Sequence, residues 1–233
     1  MINFEKAKIF DYPFPYMVVE NCFEEDTLDK LITEFPDVWG QATTMGGRRN
    51  IQVITDGPTS PMFHTWIKKS PTWKQFYDWI YDDLVFHHII DNYKEDLGKW
   101  ASIINENHSL NKDCFLHIDW SLSGNGYVRE IHRDKDKRIW NFLIFFNDKD
   151  WDGGDFLIHS SDEKVGKLDR QLFGESLPIY KTIEAKKNLG IFFLSTPDSY
   201  HSVSKQLNTK TKRKFIYGSY SIRSGDVFKR RKK

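Results

Sequence analysis

The sequence predicts an α+β chain that is mainly β, with N-terminal helices packed on a C-terminal double-sheet β core. Three observations lead there. Apolar residues keep helical spacing through much of the first 107 residues, and short β-prone runs separated by turn residues follow from 111. An aromatic content of 15% demands an interior to bury it. The 233 residues carry 34 Lys+Arg against 33 Asp+Glu, a net charge of +1 that selects neither nucleic acid nor an anionic membrane surface. A single domain over 1–233 is expected: helical support at 1–110, a β core at 111–222 and a basic tail at 223–233 that reads as a solvated end.

Residues 14–20 (FPYMVVE) read as a short strand ended by Asn21. Residues 24–35 read as a helix, with acidic residues at the positive end of its dipole, Leu28, Leu31, Ile32 and Phe35 on one face, and Pro36 as its stop. The polar segment 39–60 is expected to be loop with one strand near 51–54. From 61 to about 107 the pattern is helical again, with Trp73, Phe76, Trp79, Ile80 and Leu84 in register. Strands are expected at 114–122, 139–146, 155–159, 177–183, 190–194 and 214–222, and 139–146 is apolar enough to lie centrally in a sheet.

Cys22 and Cys114 cannot build a disulfide framework, and no CxxC suggests zinc or redox work. No apolar run approaches the roughly 20 residues that span a bilayer. The start MINFEKAKIF is neither a signal nor a transit peptide, so a cytoplasmic location is expected, with no membrane partner.

Eight histidines invite a metal search. His64, His87, His88 and His108 read as packed or solvated imidazoles, and His117 and His159, alone in candidate strands, say little. His132 and Asp134 differ, because His-x-Asp in an extended segment projects imidazole and carboxylate to the same side. A remote histidine, His201, follows an apolar strand and a Thr-Pro-Asp turn. Two histidines and a carboxylate can occupy one face of an octahedral iron and leave the others open. Arg213, at the mouth of the next strand, could clamp the far carboxylate of a dicarboxylate bound at that iron. Strand alternation turns Lys212 and Lys214 away from the side that Arg213 faces.

These motifs in register resemble those of the non-haem Fe(II)- and 2-oxoglutarate-dependent dioxygenases, in their compact prolyl-4-hydroxylase-like branch. His132-x-Asp134 is followed by KRIWNFLIFFN ending at Asn147, similar to the family strand that ends in Tyr-Leu-Asn. Trp151 and Gly153-Gly-Asp-Phe156 resemble Trp…Gly-Gly-Glu-Leu, and NLGIFFL (188–194) with His201-Ser-Val203 resembles Pro-x-Gly…Phe…His-x-Val. Pro13 to Asn21 and Thr33-Glu-Phe-Pro36 resemble the usual N-terminal strand and helix. The specific part covers about 120–222.

The resemblance implies a double-stranded β-helix core (jelly-roll, cupin-like) and iron held by His132, Asp134 and His201. Arg213 would take the cosubstrate position. The implied cofactors are Fe(II), 2-oxoglutarate and O2, with ascorbate in support. The implied reaction is hydroxylation of a C–H bond in a prolyl, peptidyl, amino-acid or other small substrate, with release of succinate and CO2. Related halogenases lack the carboxylate, so Asp134 favours hydroxylation. Three positions depart from the pattern: Ser123 and Phe145 stand where relatives often have cosubstrate-binding tyrosines, and Phe215 where a Ser is usual. Arg213 therefore calls for other helpers, with Asn141 and Tyr127 as candidates. Residues 45–49 and 162–175 could be lids, or ordinary surface loops, and Arg129 could meet an anionic substrate. The rival readings are a catalytically inactive jelly-roll binding module and an oxygenase acting on nucleic acid, the latter disfavoured by the near-zero charge. Substrate and oligomeric state are not legible.

Overall fold

Two antiparallel sheets of unequal size face each other in the computed structural model of the protein. It describes residues 1–37, 51–57, 59–92, 95, 110, 113–135, 137–161, 171–172 and 176–223. The chain opens with a 3-10 turn, Phe4–Lys6, and two strands, β1 (Ala7–Phe10) and β2 (Tyr16–Glu20). Helix α1 (Glu25–Thr33) and strand β3 (Ile51–Thr55) follow. The expected helical stretch resolves into α2 (Pro61–Ile67), α3 (Pro71–Ile80) and α4 (Asp83–Asn92). Pro61 and Pro71 each open a helix at its first turn, where the missing N–H costs nothing, and so they restart the pattern. Most of the expected helical pattern beyond 92 lies outside the described residues, as do segments 45–49 and 162–170 and the tail from 224.

The remaining strands are β4 (Cys114–Ser123), β5 (Arg129–His132), β6 (Arg138–Phe145), β7 (Phe156–His159), β8 (Ile179–Ile183), β9 (Leu189–Leu194), β10 (His201–Val203) and β11 (Arg213–Ile222). The larger sheet has the order β1-β2-β9-β6-β11-β4-β3 and the smaller one β5-β10-β7-β8. The sequence predicts no strand at β1, β5 or β10.

Alternation assigns each face of the larger sheet. On β6, Trp140, Phe142 and Ile144 join the cluster formed with the helices, where Leu28, Leu31, Trp73 and Phe76 also lie. Leu143 and Phe145 point the other way, into the cluster between the sheets with Phe156, Ile158, Ile191 and Phe193. A strand buried on both faces needs a continuous apolar run, which is why RIWNFLIF carries one. The inner face of β4 and β11 is the exception. Ser123, Ser121, Asp119 and His117 on β4 share it with Arg213, Tyr217 and Ser219 on β11, a polar stripe within an apolar sandwich.

Candidate metal centre

His132 ends β5 and His201 begins β10, and the two are direct partners in the antiparallel ladder. Their ring centroids lie 4.3 Å apart. Asp134 sits two residues beyond the end of β5, in the connection to β6, so the His-x-Asp pair straddles a strand end. All three are buried, and their ligand atoms lie within 4.8 Å of one another.

Hydrogen bonds to the backbone orient both imidazoles. His132 Nδ1–H donates to the Glu130 carbonyl and His201 Nδ1–H to the Ser199 carbonyl, each at 2.9 Å. A carbonyl only accepts, so these bonds set the tautomer and leave each Nε2 lone pair free for a metal. Phe156 stacks on His201 and Phe193 meets it edge-on, with centroids at 5.3 and 4.7 Å. Burial, together with the neighbouring His201, pushes the His132 pKa well below its usual value; burial likewise lowers His201. Both therefore stay neutral, the form that binds metal.

Asp134 is held in the opposite sense. Burial alone would raise its pKa, but the positive charge around it, the Arg138 guanidinium foremost, outweighs burial and holds the carboxyl at about 2. Arg138 donates to Asp134 Oδ1 and to the Tyr217 hydroxyl. Asp134 Oδ2 faces His201 Nε2 at 3.8 Å, with Tyr217 Oη at 3.4 Å. One carboxylate oxygen is thus occupied by Arg138 and the other is turned towards the histidines, an arrangement suited to a single metal bond. Sequence reasoning missed Arg138 and Tyr217. Arg138 opens an apolar strand run that gives it no mark of its own, and nothing local in the sequence ties Tyr217 to a residue 83 positions away.

Arg213 opens β11 opposite Ser123 and is 1% exposed. Its Nε donates to Ser123 Oγ at 3.0 Å and its Nη1 to the Gly154 carbonyl. The rings of Tyr127, Phe145 and Phe215 lie 5.4, 5.5 and 4.7 Å from its guanidinium carbon. Among the described residues no carboxylate makes an ion pair with it. Asp155, the nearest in sequence to its Gly154 partner, is engaged by Lys149 and the Ala185 N–H. Burial lowers its pKa to about 10, which still leaves a full positive charge at neutral pH. A buried cation with spare donors and no anion is what an incoming carboxylate would complete. The residues present therefore fit a metal held by two imidazoles and a carboxylate, and Arg213 is a separate buried cation able to take a carboxylate.

Of the two candidate helpers, the structure brings Tyr127 to Arg213 and leaves Asn141 away from it. Asn141 pairs with Ser219, six positions along β11 from Arg213, donates to Ser195 Oγ at 2.6 Å and accepts from the Tyr217 hydroxyl at 2.9 Å. Ser123 donates to Gln206 Oε1 at 2.9 Å, so Gln206, unremarked in the sequence, backs the Ser123–Arg213 contact. Lys212 reaches Gln52 on the surface, and Lys214 lies over Phe35 of the helical side. His159 bonds Ser202 Oγ and the Leu177 carbonyl, and His117 lies between Asp56 and Asp119, so neither belongs to the triad. Arg129 opens β5 half-buried.

The sandwich is a jelly-roll, and the chain has the fold of the Fe(II)- and 2-oxoglutarate-dependent oxygenases. Among solved structures it is similar to a prolyl-4-hydroxylase from Pseudomonas putida, at 13% identity and a TM-score of 0.55 over 90% of this chain and 93% of that one. HygX from Streptomyces hygroscopicus, solved with nickel and 2-oxoglutarate, matches at 12% identity and a TM-score of 0.52 over 97% and 87%. A Trichoplax adhaerens prolyl hydroxylase, in complex with a peptide fragment of the hypoxia inducible factor oxygen degradation domain, matches at 12% and 0.50 over 88% and 83%. No protein-family model and no curated protein sequence matches the chain.

Proposed function

We propose that the protein is a non-haem Fe(II)- and 2-oxoglutarate-dependent oxygenase that hydroxylates a C–H bond of a peptidyl, prolyl, amino-acid or other small substrate. The observation that carries this reading is the buried His132–Asp134–His201 cluster, with each imidazole Nδ1 committed to a carbonyl. Arg213 adds to it as a buried cation without a described anion. HygX, of the same fold, holds nickel and 2-oxoglutarate. The Trichoplax adhaerens neighbour holds a peptide, which supports a peptide among the substrate classes.

When bound, iron and 2-oxoglutarate would supply activation of O2, which is the oxidant, one oxygen atom going to the substrate C–H and the other to the succinate formed along with CO2. The chain's own residues bind and orient. His132 and His201 donate through Nε2, and Asp134 through the oxygen that Arg138 leaves free. Arg213 takes the distal carboxylate of the cosubstrate. Phe156 and Phe193, packed on His201, keep bulk water from that side of the metal.

The test is an anaerobic titration of the protein with Fe(II) and then 2-oxoglutarate, followed by succinate release in air over a panel of peptides and amino acids. A weak visible charge-transfer band on adding 2-oxoglutarate is the expected result. Iron binding with no such band, at any 2-oxoglutarate concentration, would replace the oxygenase with the inactive binding module.

A further inference from the structure

The two tyrosines expected around a cosubstrate carboxylate are absent, Ser123 and Phe145 standing in their places, and Ser123 is spent on Arg213 Nε and Gln206. A donor from elsewhere in the fold converges on the same point. Trp151 is buried, and its indole Nε1–H has no hydrogen-bond partner among the described residues. Gly154 has φ +71°, and a Cβ there would meet Trp151 Nε1 at 3.1 Å and Arg213 Nη1 at 3.2 Å. Two nitrogen donors, one of them cationic, therefore close on the same side of the Gly154 backbone. An unpaired buried N–H is unfavourable, and an acceptor-only oxygen is the group that would satisfy both donors at once.

We infer that Trp151 Nε1–H donates to a carboxylate oxygen seated against Gly154 beside Arg213, which makes Trp151 a binding residue for the distal carboxylate of a 2-oxo dicarboxylate. The inference rests on the oxygenase reading and deepens it. It assigns the second donor that the lost tyrosines leave open. Gln206 and Ser123 act through Arg213 and are positioning residues: Ser123 accepts from Arg213 Nε while donating to Gln206 Oε1, so the guanidinium is held with its Nη edge towards the seat. Selectivity follows, because a 2-oxo acid without a second carboxylate can chelate the metal but has nothing to place between Trp151 and Arg213.

The test uses the full chain loaded anaerobically with Fe(II) and compares 2-oxoglutarate with 2-oxobutyrate, a 2-oxo acid lacking the distal carboxylate. Trp151→Phe keeps a ring and loses the N–H. It should raise the Kd for 2-oxoglutarate by about tenfold or more, the loss of one hydrogen bond to a charged group. The Kd for 2-oxobutyrate and for Fe(II) should not change. Equal 2-oxoglutarate affinity in wild type and variant, or equal weakening of both acids, overturns the inference. A wild-type protein that binds Fe(II) but neither acid overturns the oxygenase reading instead. A second measurement needs only the wild-type fold: in the Zn(II)-loaded protein, 2-oxoglutarate should move one of the eight tryptophan indole N–H resonances downfield and 2-oxobutyrate should not. Eight unmoved resonances on 2-oxoglutarate binding would also overturn it.

Discussion

Two cations of opposite circumstance, the half-buried Arg138 and the buried Arg213, sit on the inner face of the larger sheet and its neighbourhood. Arg138 is neutralised by Asp134, whereas Arg213 has only neutral acceptors and aromatic rings among the described residues. Removing Arg213 should thus cost ligand affinity. Arg213→Ala should raise the 2-oxoglutarate concentration needed for half-saturation by about two orders of magnitude, the loss of a bidentate charge-assisted pair worth roughly 3 kcal/mol. A titration showing unchanged half-saturation would move the clamp elsewhere. His117 makes a separate prediction. Burial works against its charge, but hydrogen bonds and charge from Asp119 and Asp56 outweigh it and lift its pKa from 6.5 to about 9. The folded value is the higher one, so this contribution to stability is full below pH 6.5 and fades as pH rises through about 9. Chemical denaturation of the wild type from pH 6 to 10 should show that loss, and His117→Gln should remove this component of the slope. Identical pH slopes would show that the His117 charge is not coupled to folding.

At the scale of elements, legibility followed length and burial. The run at β6 is apolar on both faces and was readable as a central strand, whereas β5 (REIH) and β10 (HSV) are too short and polar to show a period. Their residues were nevertheless found, because ligand chemistry marks a histidine that strand propensity does not. Arg138, Tyr217 and Gln206 were not found, since their roles arise from cross-strand neighbours rather than sequence spacing. The seam between β6 and β11 carries its own test. Gly218 pairs with Phe142, and a Cβ on Gly218 would come within 2.0 Å of the Phe142 ring. The glycine lets an aromatic side chain lie across the strand, so Gly218→Ala should destabilise the fold by about 1–3 kcal/mol through overpacking. Urea unfolding measures it, and a variant as stable as wild type would mean that the ring moves aside freely.

Over the whole molecule, the double-sheet core was legible from the change in periodicity near residue 111, but β1, β2 and β3, from before that point, complete the larger sheet. The opening strand β1 was not legible, because AKIF earns its place by pairing with β2 at the rim of the larger sheet rather than by propensity. The candidate metal site offers a link between ligand binding and global stability. A divalent ion that binds only the folded chain should raise Tm with concentration, by about 2.7 kcal/mol of added stability at a hundredfold excess over Kd. Thermal melts with Mn(II) or Zn(II) should show the rise in wild type and lose it in Asp134→Ala. A rise that survives in Asp134→Ala would mean the ion binds elsewhere.

The direct pairing of His132 with His201 has a consequence for how the smaller sheet keeps its order. β5 is the outermost strand there and pairs with β10 at only two positions, with an irregularity between them. A slip of one residue would turn one imidazole to the opposite face of the sheet and break up the ligand set. An ion gripping both rings would act as a rivet through neighbouring strands, adding to the β10 ladder on one side and the bridge from His132 to Gln171 on the other. The same atom that equips the protein for chemistry would thereby proofread the alignment of its own frame.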